Sequence, residues 1–166
     1  MLVNHKTKDG RYGCLMMMFD FQSGIEDIVH PADMDEVEDE PHVTVLYGIH
    51  GAHGPTPQNF MIPDIYRKMP VLFERRITVF EGKTDVLKIS VESAMLREFR
   101  EYVKATFVWS ESGFSEYNPH LTLAFVKGGT GKKYEGIRVP YCSPTLCDVR
   151  HGTGFMYKEN GVRTMV

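Results

Sequence analysis

The stretch Pro41-His42-Val43-Thr44-Val45 recurs later in the chain as Pro119-His120-Leu121-Thr122-Leu123. Both copies place His-x-Thr directly after a proline, in an apolar run with strand character. Because side chains alternate between the two faces of a strand, each histidine shares a face with its threonine, and the apolar residues take the other face. The repeat therefore predicts two strands that each present an imidazole and a hydroxyl on one side.

Paired histidines suit the cleavage of a phosphodiester, which needs a base for the attacking oxygen and an acid for the leaving oxygen. Histidine serves both purposes because its ordinary pKa of about 6.5 allows either form near neutral pH. The hydroxyls of Thr44 and Thr122 can bind phosphoryl oxygens as charge shifts in the transition state. One His-x-Thr in a strand is more often structural, but two copies after proline indicate catalysis by His42 and His120.

Length and charge limit the range of functions. With 166 residues, 42% of them hydrophobic, the chain is long enough for one domain, 1–166, built either as a single unit or as two small lobes around one core. The formal charge of −3 argues against tight, non-specific binding to long nucleic acid, which usually needs a dominant basic surface. A small anionic ligand needs only a few local cations and remains compatible with this charge.

The three cysteines fit neither a disulfide framework nor a zinc site. Cys142 and Cys147 lie too far apart for a zinc-binding pair, and Cys14 is distant in sequence, so reduced thiols in a cytoplasmic protein are expected. The first residues lack the apolar segment of a signal peptide, and no apolar run reaches 18 residues, so neither secretion nor membrane insertion is expected. We expect no metal and no cofactor, because the acid–base scheme needs neither.

The apolar pattern predicts an α+β protein with antiparallel sheet. Strands are expected at 12–21, 42–47, 76–80, 86–91, 120–126, 139–149 (interrupted by Pro144), 153–157 and 162–166, and short helices at 25–29 and 63–69. The clearest helix begins after Ser93, a good N-cap, and carries Leu96, Phe99 and Val103 at helical spacing.

Four segments read as loops or turns. Six acidic residues between Asp33 and Glu40 predict a solvated loop, without the residue order of a calcium-binding EF-hand. The segment from Lys127 to Lys133 predicts a flexible basic loop, and the glycine- and proline-rich segment 51–57 another loop. Asn160-Gly161 is a strong signal for a hairpin turn before the last strand.

Aromatic residues outside the motifs are candidates for binding a nucleobase. Tyr12, at the start of the first strand, is a candidate stacking platform, and stacking on an aromatic ring contributes roughly 1–3 kcal/mol per base. Phe80 is an alternative platform, and Tyr117, three residues before His120, is expected to shape the entrance to the second motif.

The paired motifs resemble those of the two-histidine phosphoesterase superfamily, which includes RNA 2′,3′-cyclic phosphodiesterases and the enzymes once named 2′-5′ RNA ligases. The resemblance implies a bilobal α+β fold, with two antiparallel-sheet lobes and flanking helices around a central cleft. One motif from each half would face the other across that cleft. His42, Thr44, His120 and Thr122 then match the catalytic quartet of the family.

A narrower resemblance is to the phage anti-CBASS nucleases, which degrade the cyclic di- and trinucleotide signals of bacterial abortive defence. The similar stretches are Tyr12-Gly13-Cys14 with Phe19-Asp20, Glu40-Pro41-His42-Val43-Thr44-Val45-Leu46-Tyr47-Gly48, Asp85-Val86-Leu87-Lys88, and Asn118-Pro119-His120-Leu121-Thr122-Leu123-Ala124. The resemblance implies a metal-independent phosphodiesterase with a cyclic di- or trinucleotide substrate, acting in the cytoplasm of a bacterial host.

The same resemblance assigns three residues to the ligand. Tyr12 matches an aromatic position that grips a base. Phe80 falls where the family has a tryptophan, and its smaller face without an N–H donor leaves the base preference open. Asp148 corresponds to an acidic residue late in the family chain.

Two alternatives use the same residues. One is a 2′,3′-cyclic phosphodiesterase acting on RNA ends, which would benefit from an extended basic groove. The other is a non-catalytic binder that holds a cyclic nucleotide without cleaving it, and such a binder has no need of an acid–base pair. No obligate protein partner and no membrane partner is expected.

Overall fold

The computed structural model describes residues 12–49, 62–107, 109, 116–140 and 145–155, with the backbone alone at 12–14 and 145–155. The described strands are β1 (Tyr12–Asp20), β2 (Met34–Val37), β3 (His42–Ile49), β4 (Leu72–Phe73), β5 (Thr78–Phe80), β6 (Thr84–Glu92), β7 (His120–Lys127) and β8 (Thr145–Phe155). The α-helices are α1 (Ile25–Ile28), α2 (Asp64–Arg67) and α3 (Ala94–Thr106), with a 3-10 helix at Gly131–Tyr134. This mixture of helices and antiparallel strands confirms the α+β class.

The eight strands join one antiparallel sheet in the order β4-β6-β7-β3-β1-β8, with β5 beside β6 and β2 beside β7. The two strands that carry the motifs, β3 and β7, are therefore neighbours in the middle of the sheet. Their predicted alternation is confirmed, because Val43, Val45, Leu121 and Leu123 are all buried in the core. The motif side chains consequently lie on the opposite face.

The core lies between one face of the sheet and α3. Three buried residues of α3, Leu96, Phe99 and Val103, share one side of the helix as predicted. The sheet residues of the same cluster include Leu15, Met17, Val43, Val45, Leu87, Ile89, Leu121 and Ala124. Truncating a buried phenylalanine such as Phe99 lowers the free energy of unfolding by about 3–5 kcal/mol. This packing therefore stabilises the strands whose opposite face carries the motifs.

The start of α3 is the predicted one. The Oγ of Ser93 accepts a 3.1 Å hydrogen bond from the backbone N–H of Leu96, and a cap of this kind contributes about 1 kcal/mol. At 13 residues α3 is the longest helix described, and none of the described helices is long and apolar enough to cross a membrane.

The two halves of the sheet repeat one pairing pattern. In each half, the strand before a helix pairs antiparallel with the motif strand: β1 with β3 around α1, and β6 with β7 around α3. The matching cross-strand pairs are Met16–Thr44 and Met18–His42 in the first half, and Lys88–Thr122 and Ser90–His120 in the second. Each ladder also has a register shift immediately before the first of these pairs. The repeat therefore extends from the motifs to the strands beside them.

The acidic segment contains a strand, so its prediction as a solvated loop is wrong. β2 pairs with β7, and Met34 and Val37 at its two ends pack against the core while the two acids between them are exposed. Asp33 just before it is buried, where its carboxylate accepts a hydrogen bond from the Tyr134 hydroxyl and lies 2.7 Å from Lys133 Nζ.

The glycine-rich basic loop is organised around one carboxylate, so its prediction as a flexible loop is also wrong. Asp85 is 1% exposed, and its Oδ2 accepts 2.9 Å hydrogen bonds from the backbone N–H groups of Gly129 and Gly131. Its Oδ1 accepts a third bond, of 3.1 Å, from Gly82. A Cβ added at Gly131 would lie 2.8 Å from the Asp85 Cβ, so the close approach requires glycine.

The remaining elements differ from prediction mainly in their limits. The helices expected at 25–29 and 63–69 are present but shorter. β8 is one strand where two are predicted, because it continues through residues 150–152, and it begins after Pro144 instead of at Val139. The two-residue strand β4 is not predicted at all. The predicted loop 51–57, the Asn160-Gly161 hairpin and the strand 162–166 lie outside the described residues.

Candidate active site

The two His-x-Thr motifs lie side by side and run in opposite directions. β3 and β7 pair antiparallel at Val43 and Leu121. Val43 and Leu121 are the middle residues of the two motifs, so this pair makes the motifs adjacent. Extended by one residue in each direction, this register places His42 across from Thr122 and Thr44 across from His120. Cβ atoms of directly facing residues are about 5 Å apart, so each histidine neighbours the threonine of the other motif.

The four side chains are shielded to different extents. Thr122 is 7% exposed, whereas His42, Thr44 and His120 are half-buried. A half-buried imidazole keeps access to a ligand while the surrounding protein restricts its orientation. The quartet predicted from the sequence therefore lies on one face of two adjacent strands.

The two imidazole rings are held in the same way. His42 Nδ1 lies 2.8 Å from the backbone oxygen of Glu40, and His120 Nδ1 lies 2.9 Å from that of Asn118. A carbonyl oxygen only accepts, so Nδ1 is the donor in both rings. In the neutral ring Nε2 then carries the lone pair, and in the cation it carries the second proton. Any proton exchange by either ring would consequently pass through Nε2.

Tyr117 connects the two motifs through the backbone. Its hydroxyl donates a 2.6 Å hydrogen bond to the carbonyl of Thr44, and burial raises the pKa of this phenol. The Arg100 guanidinium lies 4.5 Å from the centre of the Tyr117 ring, and Arg97 donates to the Tyr117 carbonyl at 3.1 Å. These contacts hold the approach to β7 against α3 and β3. The expected contact of Tyr117 with a ligand stays a prediction.

The quartet is bordered by a lysine that the sequence alone did not indicate as a site residue. Lys88 of β6 lies across from Thr122, and its Nζ is 3.0 Å from the hydroxyl of Thr78 on β5. Burial lowers the pKa of this ammonium group. The alternation of Lys88 and Ser90 with buried Leu87 and Ile89 is the signal that places them on the motif face.

The other border of the quartet is apolar. Met16 and Met18 of β1 lie across from Thr44 and His42, and both are buried. They form a small cluster with Tyr47, separate from the main core. The quartet therefore has two methionine side chains on its β1 side and a lysine on its β6 side.

The candidate ligand residues outside the motifs are not gathered at one point. Phe80 ends β5 and is 51% exposed; it pairs with Val86, two residues from Lys88 along β6. Asp148 lies on β8, and its backbone pairs with Met18, which also pairs with His42. Tyr12 begins β1, four residues before Met16, which is roughly 13 Å along a strand. Phe80 and Asp148 thus lie on opposite sides of the motif strands, and their roles stay predictions.

No protein-family model and no curated protein matches this chain. Within the described ranges, no three His, Cys, Asp or Glu residues are grouped so that they could hold a metal ion. Two imidazoles whose Nε2 atoms could exchange protons, beside two hydroxyls that could bind oxygens, are the groups that general acid–base catalysis requires.

Proposed function

We propose that this chain is a phosphodiesterase of the two-histidine class. The observation that carries the proposal is the antiparallel register of the two motifs, which sets each histidine across from the other motif's threonine. The matching bonds from each Nδ1 to a backbone carbonyl support it, because they prepare both Nε2 atoms for the same proton exchange. A structural histidine needs no such second copy in register.

The reaction we infer is an internal transfer at phosphorus. A ribose 2′-oxygen attacks the adjacent 3′-5′ phosphate, so a P–O2′ bond forms and the P–O5′ bond breaks. One Nε2 accepts the 2′-hydroxyl proton, and the Nε2–H of the other ring protonates the leaving 5′-oxygen. Thr44 and Thr122 donate to the non-bridging oxygens. The first products are a 2′,3′-cyclic phosphate and a 5′-hydroxyl, and no step requires a metal.

The substrate class we propose is a cyclic di- or trinucleotide. The stretches that resemble the phage anti-CBASS nucleases support this class, and they extend from Tyr12 to Ala124. The net charge of −3 favours a compact ligand over a long polyanion. Destruction of such a signal in the cytoplasm of an infected bacterium would counter cyclic-nucleotide defence.

We also propose that the sheet is divided into two lobes, with the quartet at the base of a cleft between them. The repeated pairing of β1 with β3 and of β6 with β7 supports this division, because each motif strand has its own partner strand and helix. One phosphate bound between β3 and β7 would then contact both lobes.

The test is an incubation with EDTA present, using a panel of cyclic di- and trinucleotides and one RNA oligomer ending in a 2′,3′-cyclic phosphate. Products are resolved by chromatography and mass. The His42→Ala/His120→Ala double variant is the negative control, and His30→Ala, in an exposed turn, is the matched positive control.

We expect the wild type and His30→Ala to convert a cyclic nucleotide into linear products, and the double variant to form none. Cleavage of the RNA end alone would instead assign the chain to RNA processing. Tight retention of a cyclic nucleotide without any product would identify a non-catalytic binder.

A further inference from the structure

The two halves of the repeat differ at both positions beside the quartet, Met16 against Lys88 and Met18 against Ser90, and the first of these differences introduces a charge. The place that Met16 takes beside Thr44 is taken by Lys88 beside Thr122, although the two ladders share the same register and the same preceding shift. The methionine is buried, whereas the lysine is half-buried and reaches the motif face. Of the two residues that pair with the motif threonines, the one on β6 is charged and the one on β1 is apolar, which gives a bound ligand a preferred orientation.

The charge of Lys88 is not neutralised by the part of the chain that the structure describes. Its Nζ contacts the uncharged hydroxyl of Thr78, at 3.0 Å, and no described carboxylate lies within ion-pair distance of it. Burial lowers its pKa, which means that the charged form loses hydration there. An ammonium group in this condition gains more from a bound anion than a fully hydrated one does.

The position of Nζ decides which part of the ligand it meets. Lys88 is one strand from Thr122, about 4.8 Å away in the sheet, and its Nζ leans toward β5 and away from the quartet. A phosphate held between the two histidines lies on the other side of Thr122. The ammonium group therefore lies on the far side of Thr122 from the reacting phosphate, where a different part of the ligand would meet it.

We propose that Lys88 binds a second phosphate of the ligand, next to the one held by the quartet. This inference rests on the proposed function, since only a ligand with more than one phosphate can occupy both places. A cyclic di- or trinucleotide meets that requirement, and a mononucleotide does not. The hydroxyl of Thr78 positions the ammonium group. Because the β1 side of the quartet is bordered by methionines, the second phosphate would bind on the β6 side.

Lys88→Met tests the proposal, because it keeps the length of the side chain and removes the charge. Lys88→Arg restores the charge. Lys127→Met is the matched control: Lys127 ends β7, five residues beyond Thr122, roughly 17 Å along the strand. Binding is measured calorimetrically with 2′-deoxy cyclic dinucleotides, and kcat and KM are measured with the corresponding ribonucleotides.

We expect Lys88→Met to weaken binding about 10- to 100-fold, the effect of losing one hydrogen bond to a charged group. KM should rise by a similar factor with kcat nearly unchanged, because the contact is made equally before and during the reaction. Lys88→Arg and Lys127→Met should bind nearly as tightly as the wild type, and the salt dependence of binding should become shallower only in Lys88→Met.

The outcomes separate this inference from the function on which it rests. If the wild type binds and Lys88→Met binds equally well, Lys88 has no such role and the proposed function stands. If Lys88→Met binds more weakly than the wild type, but neither the wild type nor any variant cleaves a ribonucleotide, the phosphate site stands and the proposed catalysis is wrong. If the wild type binds none of the cyclic nucleotides, both are wrong.

Discussion

The hydroxyl of Tyr117 donates its hydrogen bond to the backbone carbonyl of Thr44, a residue 73 positions away in the sequence. One motif is thereby attached to the segment that leads into the other. The bond acts on the backbone of β3, so the Thr44 hydroxyl remains on the motif face. The relative placement of the two motifs depends on this contact as well as on the pairing of Val43 with Leu121.

Tyr117→Phe should lower both stability and turnover. Loss of the hydroxyl leaves the partly buried Thr44 carbonyl without that donor, and we expect the free energy of unfolding to fall by about 1–2 kcal/mol. We expect kcat to fall several-fold with little change in KM, since the variant loosens the quartet but keeps the ring against Arg100. Tyr66→Phe, which keeps the stacking of that ring on Phe99, is the control and should change neither quantity.

The stability lost in Tyr117→Phe should depend on pH in the alkaline range. The folded-state pKa of Tyr117 is raised above its ordinary value of 10.0 by burial. Its contribution is therefore complete below pH 10 and is lost as pH rises through the folded-state pKa. Denaturant titrations should show the stability difference between wild type and Tyr117→Phe shrinking above pH 10. A difference that stays constant there would contradict the burial of a neutral phenol.

Removing either histidine should nearly abolish turnover without unfolding the protein. We expect His42→Ala and His120→Ala each to lower kcat about 10²- to 10⁴-fold, the usual contribution of one acid–base group. The double variant should be little worse than the poorer single variant, because the two groups act as a unit. Single-turnover rates measure this, and a single variant that keeps half of the wild-type rate would contradict a two-histidine mechanism.

Asp85→Asn should destabilise the protein, most clearly at neutral pH. The Gly131 N–H, with help from Gly82 and Gly129, lowers the pKa of this carboxyl below 3.8, although burial opposes the shift. The carboxylate therefore stabilises the fold above pH 3.8 and stops doing so as pH falls through its folded-state pKa. We expect a loss of about 2 kcal/mol at pH 7.

Urea titrations at pH 7 and pH 3 check this prediction, with the exposed Asp35→Asn as the control. The gap between wild type and Asp85→Asn should narrow at pH 3, whereas Asp35→Asn should follow the wild type throughout. An equal gap at both pH values would show that the carboxylate charge does not contribute.

Local patterns were enough to predict the elements that build the site. The alternation around His42 and His120 predicts which face carries the motifs, and the spacing after Ser93 predicts α3 and its buried side. These signals are short-range, because strand and helix periodicity depends on neighbouring residues alone. The resemblance implied that the two motifs face each other across a cleft, whereas the adjacency of β3 and β7 and their register come from the structure.

Long-range contacts account for what was missed. Composition predicts a loop for the acidic segment, but β7 offers a pairing edge and the core takes Met34 and Val37. The glycine-rich loop is fixed by Asp85, more than 40 residues earlier in the chain. The equivalence of Met16 and Lys88 is invisible in sequence, because the residue types differ and only the shared register relates them.

The most direct test of the central claim compares a cyclic dinucleotide that carries 2′-hydroxyls with its 2′-deoxy counterpart, in EDTA. The account predicts that the ribonucleotide is opened to a product with a 2′,3′-cyclic phosphate, and that the deoxynucleotide binds with similar affinity and stays intact. Comparable cleavage of both would contradict internal attack by the ribose, and with it the roles given to His42 and His120.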